Sequence, residues 1–307
     1  MKVLITGGAG YVGTELVHAL LLNEQIREIV VYDNLSRQHC NFFIGHRKFD
    51  SRVRFRNADI LDGRSLSEEL KGVDVVVHLA ANVQKAYRDL DVDSLEQVNN
   101  WGSSELVNAI ESQGVARSIY LSSSAIYGFS EALISMQHVP APVTAYGISK
   151  HKGERHFDRL LKKGHEGYII RSANVFGYSR SMRFDGVMNR FVFDANFKRK
   201  LCINGNGSQR RPFISVEQLV DVLVAAVSGS LQPGYYNAVD SSRSLNDIVE
   251  VLFEIYPDLE LIYANQDMPV QHMEVEASTE LAELIEKGRD ELGMLLRDFV
   301  SHFTFQV

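Results

Sequence analysis

The chain has 307 residues, 45% of them hydrophobic and 23% charged, enough for one large α/β domain and a smaller second portion. A net charge of −7 excludes a nucleic-acid backbone as the main partner, because that needs an extended basic surface, and leaves room only for a local basic pocket that could take one diphosphate. No apolar run is long enough to span a bilayer, no basic and apolar leader opens the sequence, and the two cysteines, Cys40 and Cys202, form neither a disulfide framework nor a metal-ligand spacing, so the expectation is a cytoplasmic protein with no membrane contact and no metal, and with both thiols free and buried.

Short β-branched runs alternate with amphipathic segments through the first half. Val3-Leu4-Ile5 predicts a strand, residues 14–22 a helix, and Ile29-Val30-Val31-Tyr32 and Val53-Arg54-Phe55 two further strands. A helix over 65–71, a strand over 73–77, a helix over 95–111 and a strand at Ser118-Ile119-Tyr120-Leu121 follow, then a long helix over 145–162 and a strand over 167–171. Near-continuous apolar strands separated by helices belong to a parallel sheet covered on both faces, and right-handed crossovers make that sheet doubly wound. Past Gly177 the pattern is less regular: a loop at Asn204-Gly205-Asn206-Gly207, a helix over 216–227, and a tail that reads as nearly continuous helix over 279–303.

Thr6-Gly7-Gly8-Ala9-Gly10-Tyr11-Val12-Gly13 follows the first strand and opens the first helix. Gly7 permits the tight turn, Gly10 lets backbone approach a pyrophosphate, and Gly13 lets helix and strand pack closely. The helix start, with Tyr11 and Val12, offers unpaired N–H groups and a positive dipole end to an anion. Asp33 ends the second strand, twenty positions past Gly13, where a carboxylate accepts from the adenosine ribose and repels a 2′-phosphate. This combination predicts a Rossmann fold that binds NAD in preference to NADP. The expected division is an NAD-binding domain, 1–177, to which segments near 212–237 return, and a smaller, mostly helical substrate-binding portion, 178–307.

Tyr146 and Lys150 stand four apart on the long predicted helix and therefore share a face. A nearby ammonium favours a phenolate, so Tyr146 becomes a candidate base. The pair follows a strand that ends in Leu121-Ser122-Ser123-Ser124-Ala125-Ile126-Tyr127-Gly128, and ligands of doubly wound sheets bind at the carboxyl ends of strands. A hydroxyl there can bond a substrate oxygen.

Taken in order, the motif at 6–13, Asp33-Asn34-Leu35, Asp59-Ile60, His78-Leu79-Ala80-Ala81, Asn99, Ser122 to Gly128 and Tyr146-Gly147-Ile148-Ser149-Lys150 resemble the extended short-chain dehydrogenase/reductase family over about residues 2–220. Within it they are most similar to the NAD-dependent epimerases and dehydratases typified by UDP-galactose 4-epimerase. The resemblance implies that Asn34, Asp59 and Ile60 serve the adenosine end of NAD. It implies that Leu79, Ala80 and Ala81 line the cofactor cleft, with Asn99 near it. It makes Ser123 the catalytic hydroxyl beside Tyr146 and Lys150, Asn174 a sugar-nucleotide contact, and Arg211 the clamp on a diphosphate, which suits a guanidinium fork.

The implied activity is sugar-nucleotide epimerisation at C4 through a transient 4-keto sugar, in a homodimer joined by the helices around 95–111 and 145–162. The alternatives are a one-way reductase or dehydrogenase on a sugar nucleotide and a non-catalytic NAD-binding regulator. In the dehydratase branch an adjacent Asp-Glu pair follows the catalytic hydroxyl; here those positions are Ser124 and Ala125, so 4,6-dehydration is not expected. The chain also departs from the family at Pro212, where an Asp is usual, at the loop 136–142, and in its helical tail.

Overall fold

The computed structural model describes residues 1–37, 42, 50–83, 92–265, 270–286 and 292–303. Its first half alternates β1 (Lys2–Thr6), α1 (Tyr11–Leu21), β2 (Glu28–Asp33), β3 (Val53–Asn57), α2 (Gly63–Glu69), β4 (Val75–His78), α3 (Val92–Leu95), α4 (Gly102–Gln113), β5 (Arg117–Ser123), α5 (Ala145–Lys162) and β6 (Glu166–Ser172). The rest adds β7 (Asn174–Phe176), α6 (Val187–Lys198), β8 (Lys200–Asn204), β9 (Arg210–Ser215), α7 (Val216–Ser228), β10 (Gly234–Ala238), β11 (Ser241–Ser244), α8 (Leu245–Ile255), β12 (Glu260–Ala264), α9 (Ala282–Glu286) and α10 (Leu292–Ser301).

Seven strands form one parallel sheet in the order β10-β6-β5-β4-β1-β2-β3. Side chains alternate across it, so Val3 and Ile5 join Leu16, Val17, Leu219 and Leu223 of α1 and α7 on one face, and Leu4 joins Leu66, Leu106, Ile110 and Phe157 of α2, α4 and α5 on the other. The fold is thus the expected doubly wound Rossmann arrangement. The strand order reverses between β1 and β4, which opens a crevice at the carboxyl ends of the two, where Thr6 pairs with His78.

The C-terminal region is helical around a separate core of Phe176, Met188, Phe191, Phe213, Ile248, Leu252 and Phe299. Two small sheets, β11-β9-β7 and β12-β8, complete it. One face of β8 packs on that core through Leu201 and Ile203, so the two-residue period turns Cys202 outward: it is exposed, not buried as expected. Cys40 lies outside the described residues. Of the helix expected over 279–303, Thr279–Leu281 is a 3₁₀ turn, α9 and α10 are helical, and residues 287–291 lie outside the described residues. The fourth strand starts at Val75 rather than at residue 73, and the Asp74 carboxylate just before it accepts from the Lys2 amide at 2.6 Å. Among the described residues no helix is long and apolar enough to cross a membrane.

Candidate active site

The glycine loop between β1 and α1 has the shape of an anion cradle. Gly7 has φ 69°, and a Cβ there would lie 2.6 Å from the Ala80 amide nitrogen on the opposite wall. A Cβ on Gly13 would lie 2.6 Å from the Gly7 carbonyl. Only glycine lets the loop and the first turn of α1 come this close. No side chain caps α1 at Gly10, so its first N–H groups point into the crevice without a side-chain partner. The Tyr11 ring anchors the loop from behind, its hydroxyl donating to the Gly177 carbonyl at 2.7 Å and accepting from Asn189 at 3.2 Å. A pyrophosphate fits the donor set at the front of the loop.

Asp33 accepts from the amides of Ala9 at 3.1 Å and Leu35 at 2.8 Å, which ties the glycine loop to the turn after β2. A carboxylate is an acceptor for the hydroxyls of a ribose. Asn34 donates to Asp59 at 2.8 Å, and Asp59 also takes the Leu61 amide, so this pair forms the rim beside Ile60. On the other side of the crevice, Ala80 donates its amide to Thr6 Oγ1 at 3.3 Å, and the chain continues through Ala81 to Asn82. Asn99 secures that wall: its side chain accepts from the Asn82 amide at 2.8 Å, donates to the Asn82 carbonyl at 2.9 Å, and reaches Ser149 Oγ on α5 at 2.9 Å. It can do so because residues Glu96–Trp101 form a π-helical segment between α3 and α4, a feature no sequence period announced.

Ser123, the last residue of β5, accepts from the Ala125 amide at 3.2 Å, and Tyr146 lies in the first turn of α5, where the Ser123 side chain acts on its phenol. Thr144 starts that helix by accepting the Gly147 amide at 3.0 Å, which fixes the direction in which Tyr146 leaves it. Burial raises the Tyr146 pKa; the charge of Arg183, the Ser123 side chain and the charge of Arg37 act against that. Lys150 is only 2% exposed, and its ammonium lies 4.3 Å from the centre of the Tyr120 ring. Burial lowers its pKa to about 7, with Glu154 opposing. Arg183 and Arg37, which the sequence did not single out, add positive charge near the phenol. His78 stays neutral below them, because burial and the Lys150 charge hold its pKa well below the usual range.

Asn174 is exposed at the start of β7 and donates to the Pro212 carbonyl at 3.0 Å, so it sits against β9. Arg211 lies 5.0 Å over the Phe129 ring and donates to the carbonyls of Arg210 at 2.8 Å and Gln271 at 2.5 Å. Among the described residues no carboxylate pairs with it, and burial lowers its pKa. Sequence reasoning missed Arg183 and Asp185. Arg37 pairs with Asp185 at 3.4 Å and bonds the Val83 carbonyl at 2.8 Å, and Arg183 pairs with the same carboxylate. No local signal could have shown a contact between positions 148 residues apart.

These features define an α/β nucleotide-binding protein with a Ser–Tyr–Lys cluster at the switch point of its sheet. Residues 3–238 match the NAD dependent epimerase/dehydratase family, and the chain belongs to it. A putative UDP-glucose 4-epimerase of Methanocaldococcus jannaschii is 29% identical over 236 residues, 74% of this chain and 73% of that protein. The dTDP-D-glucose 4,6-dehydratase of Mus musculus is 27% identical over 242 residues, 77% of this chain and 67% of its own. Among solved structures, the UDP-glucuronic acid 4-epimerase of Bacillus cereus in complex with UDP-glucuronic acid and NAD superposes with a TM-score of 0.87 at 24% identity, covering 98% of each chain. DesIV, a dTDP-glucose 4,6-dehydratase of Streptomyces venezuelae with NAD bound, gives 0.84 at 20% identity, covering 98% of this chain and 96% of that one. Epimerases and dehydratases thus share the fold, and the chain is an NAD-dependent enzyme of the epimerase/dehydratase family.

Proposed function

We propose that this chain epimerises a sugar nucleotide at C4 through a transient 4-keto sugar, as an NAD-dependent isomerase similar to UDP-galactose 4-epimerase. The observation that carries the reading is the placement of Ser123 at the end of β5 and of Tyr146 in the first turn of α5, with buried Lys150 one turn along, at the strand ends beside the glycine loop. NAD, when bound, supplies the acceptor and later the donor of the hydride exchanged with the sugar's C4. The backbone of Gly7, Gly10, Tyr11, Val12 and Gly13 holds its pyrophosphate, and Asp33 its adenosine ribose. Asn34, Asp59 and Ile60 border the adenine, while Leu79, Ala80, Ala81 and Asn99 form the facing wall. Tyr146 takes the proton of the C4 hydroxyl, Ser123 bonds the same oxygen as charge develops, and Lys150 holds the nicotinamide ribose and the positive charge that favours the phenolate. Arg211 clamps the diphosphate and Asn174 contacts the nucleotide sugar.

Residues 1–177, with the returning segment that carries α7 and β10, make the NAD-binding domain, and 178–307 the substrate portion. Support for this division comes from β10 at the edge of the main sheet and α7 against α1. A homodimer through α4 and α5 is part of the proposal; Trp101, 58% exposed where α4 begins, gives that face an apolar anchor.

The test is to denature purified protein, identify the released cofactor and any sugar nucleotide, and then incubate fresh enzyme with UDP-glucose, UDP-galactose and UDP-glucuronic acid. Inversion at C4 without net NADH supports the proposal. Stoichiometric NADH with an oxidised sugar would make the enzyme a dehydrogenase instead.

A further inference from the structure

Glu154 is 3% exposed on α5, one turn past Lys150 and two turns past Tyr146. Its carboxylate accepts from Ser122 Oγ at 2.8 Å, the residue before Ser123 on β5. It also accepts from two nitrogens of Arg171 on β6, at 2.6 and 3.3 Å. Arg171, 6% exposed, donates onward to the Tyr127 hydroxyl at 2.8 Å, and Tyr127 donates to Asn237 of β10 at 2.8 Å. One carboxylate therefore links α5 to three neighbouring strands at the level of the candidate site.

We propose that Glu154 is a positioning residue: its carboxylate fixes the catalytic helix against the strand end that presents Ser123, and it is the buried anion one helical turn from the Lys150 ammonium. The proposal rests on Tyr146 and Lys150 acting as assigned above. Stability alone is a weak reason for this arrangement, because a buried ion pair is commonly replaced by apolar side chains of similar volume at no loss. The charge count gives a better one. Lys150 and Arg171 put two cations in a dry volume that Glu154 alone balances.

Among the described residues the other groups around the pair add no second anion. On α5, Tyr146 is a phenol, His151 is pushed toward its neutral form by burial, and Asp158 is engaged by Lys162 and Tyr235. From β4 comes neutral His78, from β5 Tyr120, Ser122 and Ser123, and from the π-helical segment and α4 the uncharged Asn99 and Ser103. The turn after β5 contributes Tyr127, and β10 contributes Tyr235, whose ring lies 5.0 Å from the Arg171 guanidinium, and Asn237. Glu154 is the one group that raises the Lys150 pKa against burial.

The test reads Lys150 directly and needs no substrate, so it is separable from the assignment of the reaction. Protein labelled with ¹³C at lysine Cε is titrated by NMR as isolated, and the Lys150 signal is identified by its loss in Lys150→Met. Glu154→Gln is expected to move the Lys150 titration to lower pH by about one unit, roughly a tenfold loss of proton affinity, and Glu154→Asp to bring it back toward the unmodified protein. If Glu154→Gln does not fold, the double variant Glu154→Leu with Arg171→Met is compared with Arg171→Met alone, and Lys150 must titrate at lower pH in the double variant than in the single one. A Lys150 titration unchanged in Glu154→Gln, or no lower in the double variant than in Arg171→Met, or an Asp variant that behaves as Gln does, overturns the proposal.

Discussion

Arg211→Ala separates substrate anchoring from both folding and cofactor binding. In the structure the guanidinium makes two bonds to carbonyls and covers the Phe129 ring, yet no described carboxylate neutralises it, and burial lowers its pKa. Its two neutral-acceptor bonds are worth about 0.5–1.5 kcal/mol each, and the partial desolvation of an unpaired charge opposes them by a similar amount. Truncation should therefore change stability by no more than about 1 kcal/mol. Binding is different, because a diphosphate supplies the missing anion. Loss of a charge-assisted bond removes about 1.5–3 kcal/mol, which is roughly a 10- to 150-fold weaker Kd. Arg211→Lys should recover only part of it, since an ammonium keeps the charge and loses the fork. The assay is isothermal titration with UDP and with dTDP, followed by NAD on the same preparation. An unchanged Kd for whichever nucleotide the unmodified protein binds better, or an equal weakening of NAD, would refute the reasoning.

Tyr146→Phe keeps the ring and deletes the proton acceptor, so turnover should fall by ~10²–10⁴-fold while NAD affinity changes little; near-normal turnover removes Tyr146 from the mechanism. Asp33→Ala should weaken NAD and relax the rejection of NADP, and equal affinities for the two in the unmodified protein would contradict the role of that carboxylate. Burial lowers the Lys150 pKa to about 7, so between that value and the ordinary lysine range near ~10.4 the unfolded chain binds a proton that the folded chain does not. Stability against urea should accordingly rise with pH through that window and be flat below it. The rise should be absent from Lys150→Met, and identical pH slopes for the two proteins would exclude it.

The first half of the chain was legible because its signals are local. Gly7, Gly13 and Asp33 carry their meaning in spacing along one β-α-β unit, and Tyr146 and Lys150 in one turn of helix. The small sheets were not legible. Arg210-Arg211-Pro212 and Ser241 to Ser244 have no apolar alternation, and they become strands only by pairing with each other and with β7. Cys202 was misread for a related reason: composition favours buried thiols, but the side it faces depends on which face of β8 the core covers. The environment of Lys150 was also hidden. Sequence spacing placed it near Tyr146, and only the fold shows the Tyr120 ring beneath the ammonium.

The last prediction is that no water is lost from the sugar, although 4,6-dehydratases share this fold and much of this sequence. Elimination requires a base for the C5 proton and an acid for the departing C6 hydroxyl, both near the phenol that serves C4. The residues after Ser123 that would reach that region are Ser124, 4% exposed, and Ala125. Alanine does not titrate, and a serine hydroxyl is a weak acid and a weaker base at neutral pH. Glu131 is the nearest carboxylate in sequence, but it stands exposed on the turn that Ser130 closes, with Ser130 bonded to His272 rather than facing the cleft. The charged groups that act on Tyr146 are both cations, Arg183 and Arg37. That charge suits an oxyanion at C4. Incubation with the sugar nucleotide in deuterated water, read by mass, should show unchanged composition with inverted C4. Loss of one water, with solvent deuterium at C5 or C6, would show that a carboxylate reaches the sugar after all, and Glu131→Gln would then be the variant to abolish it.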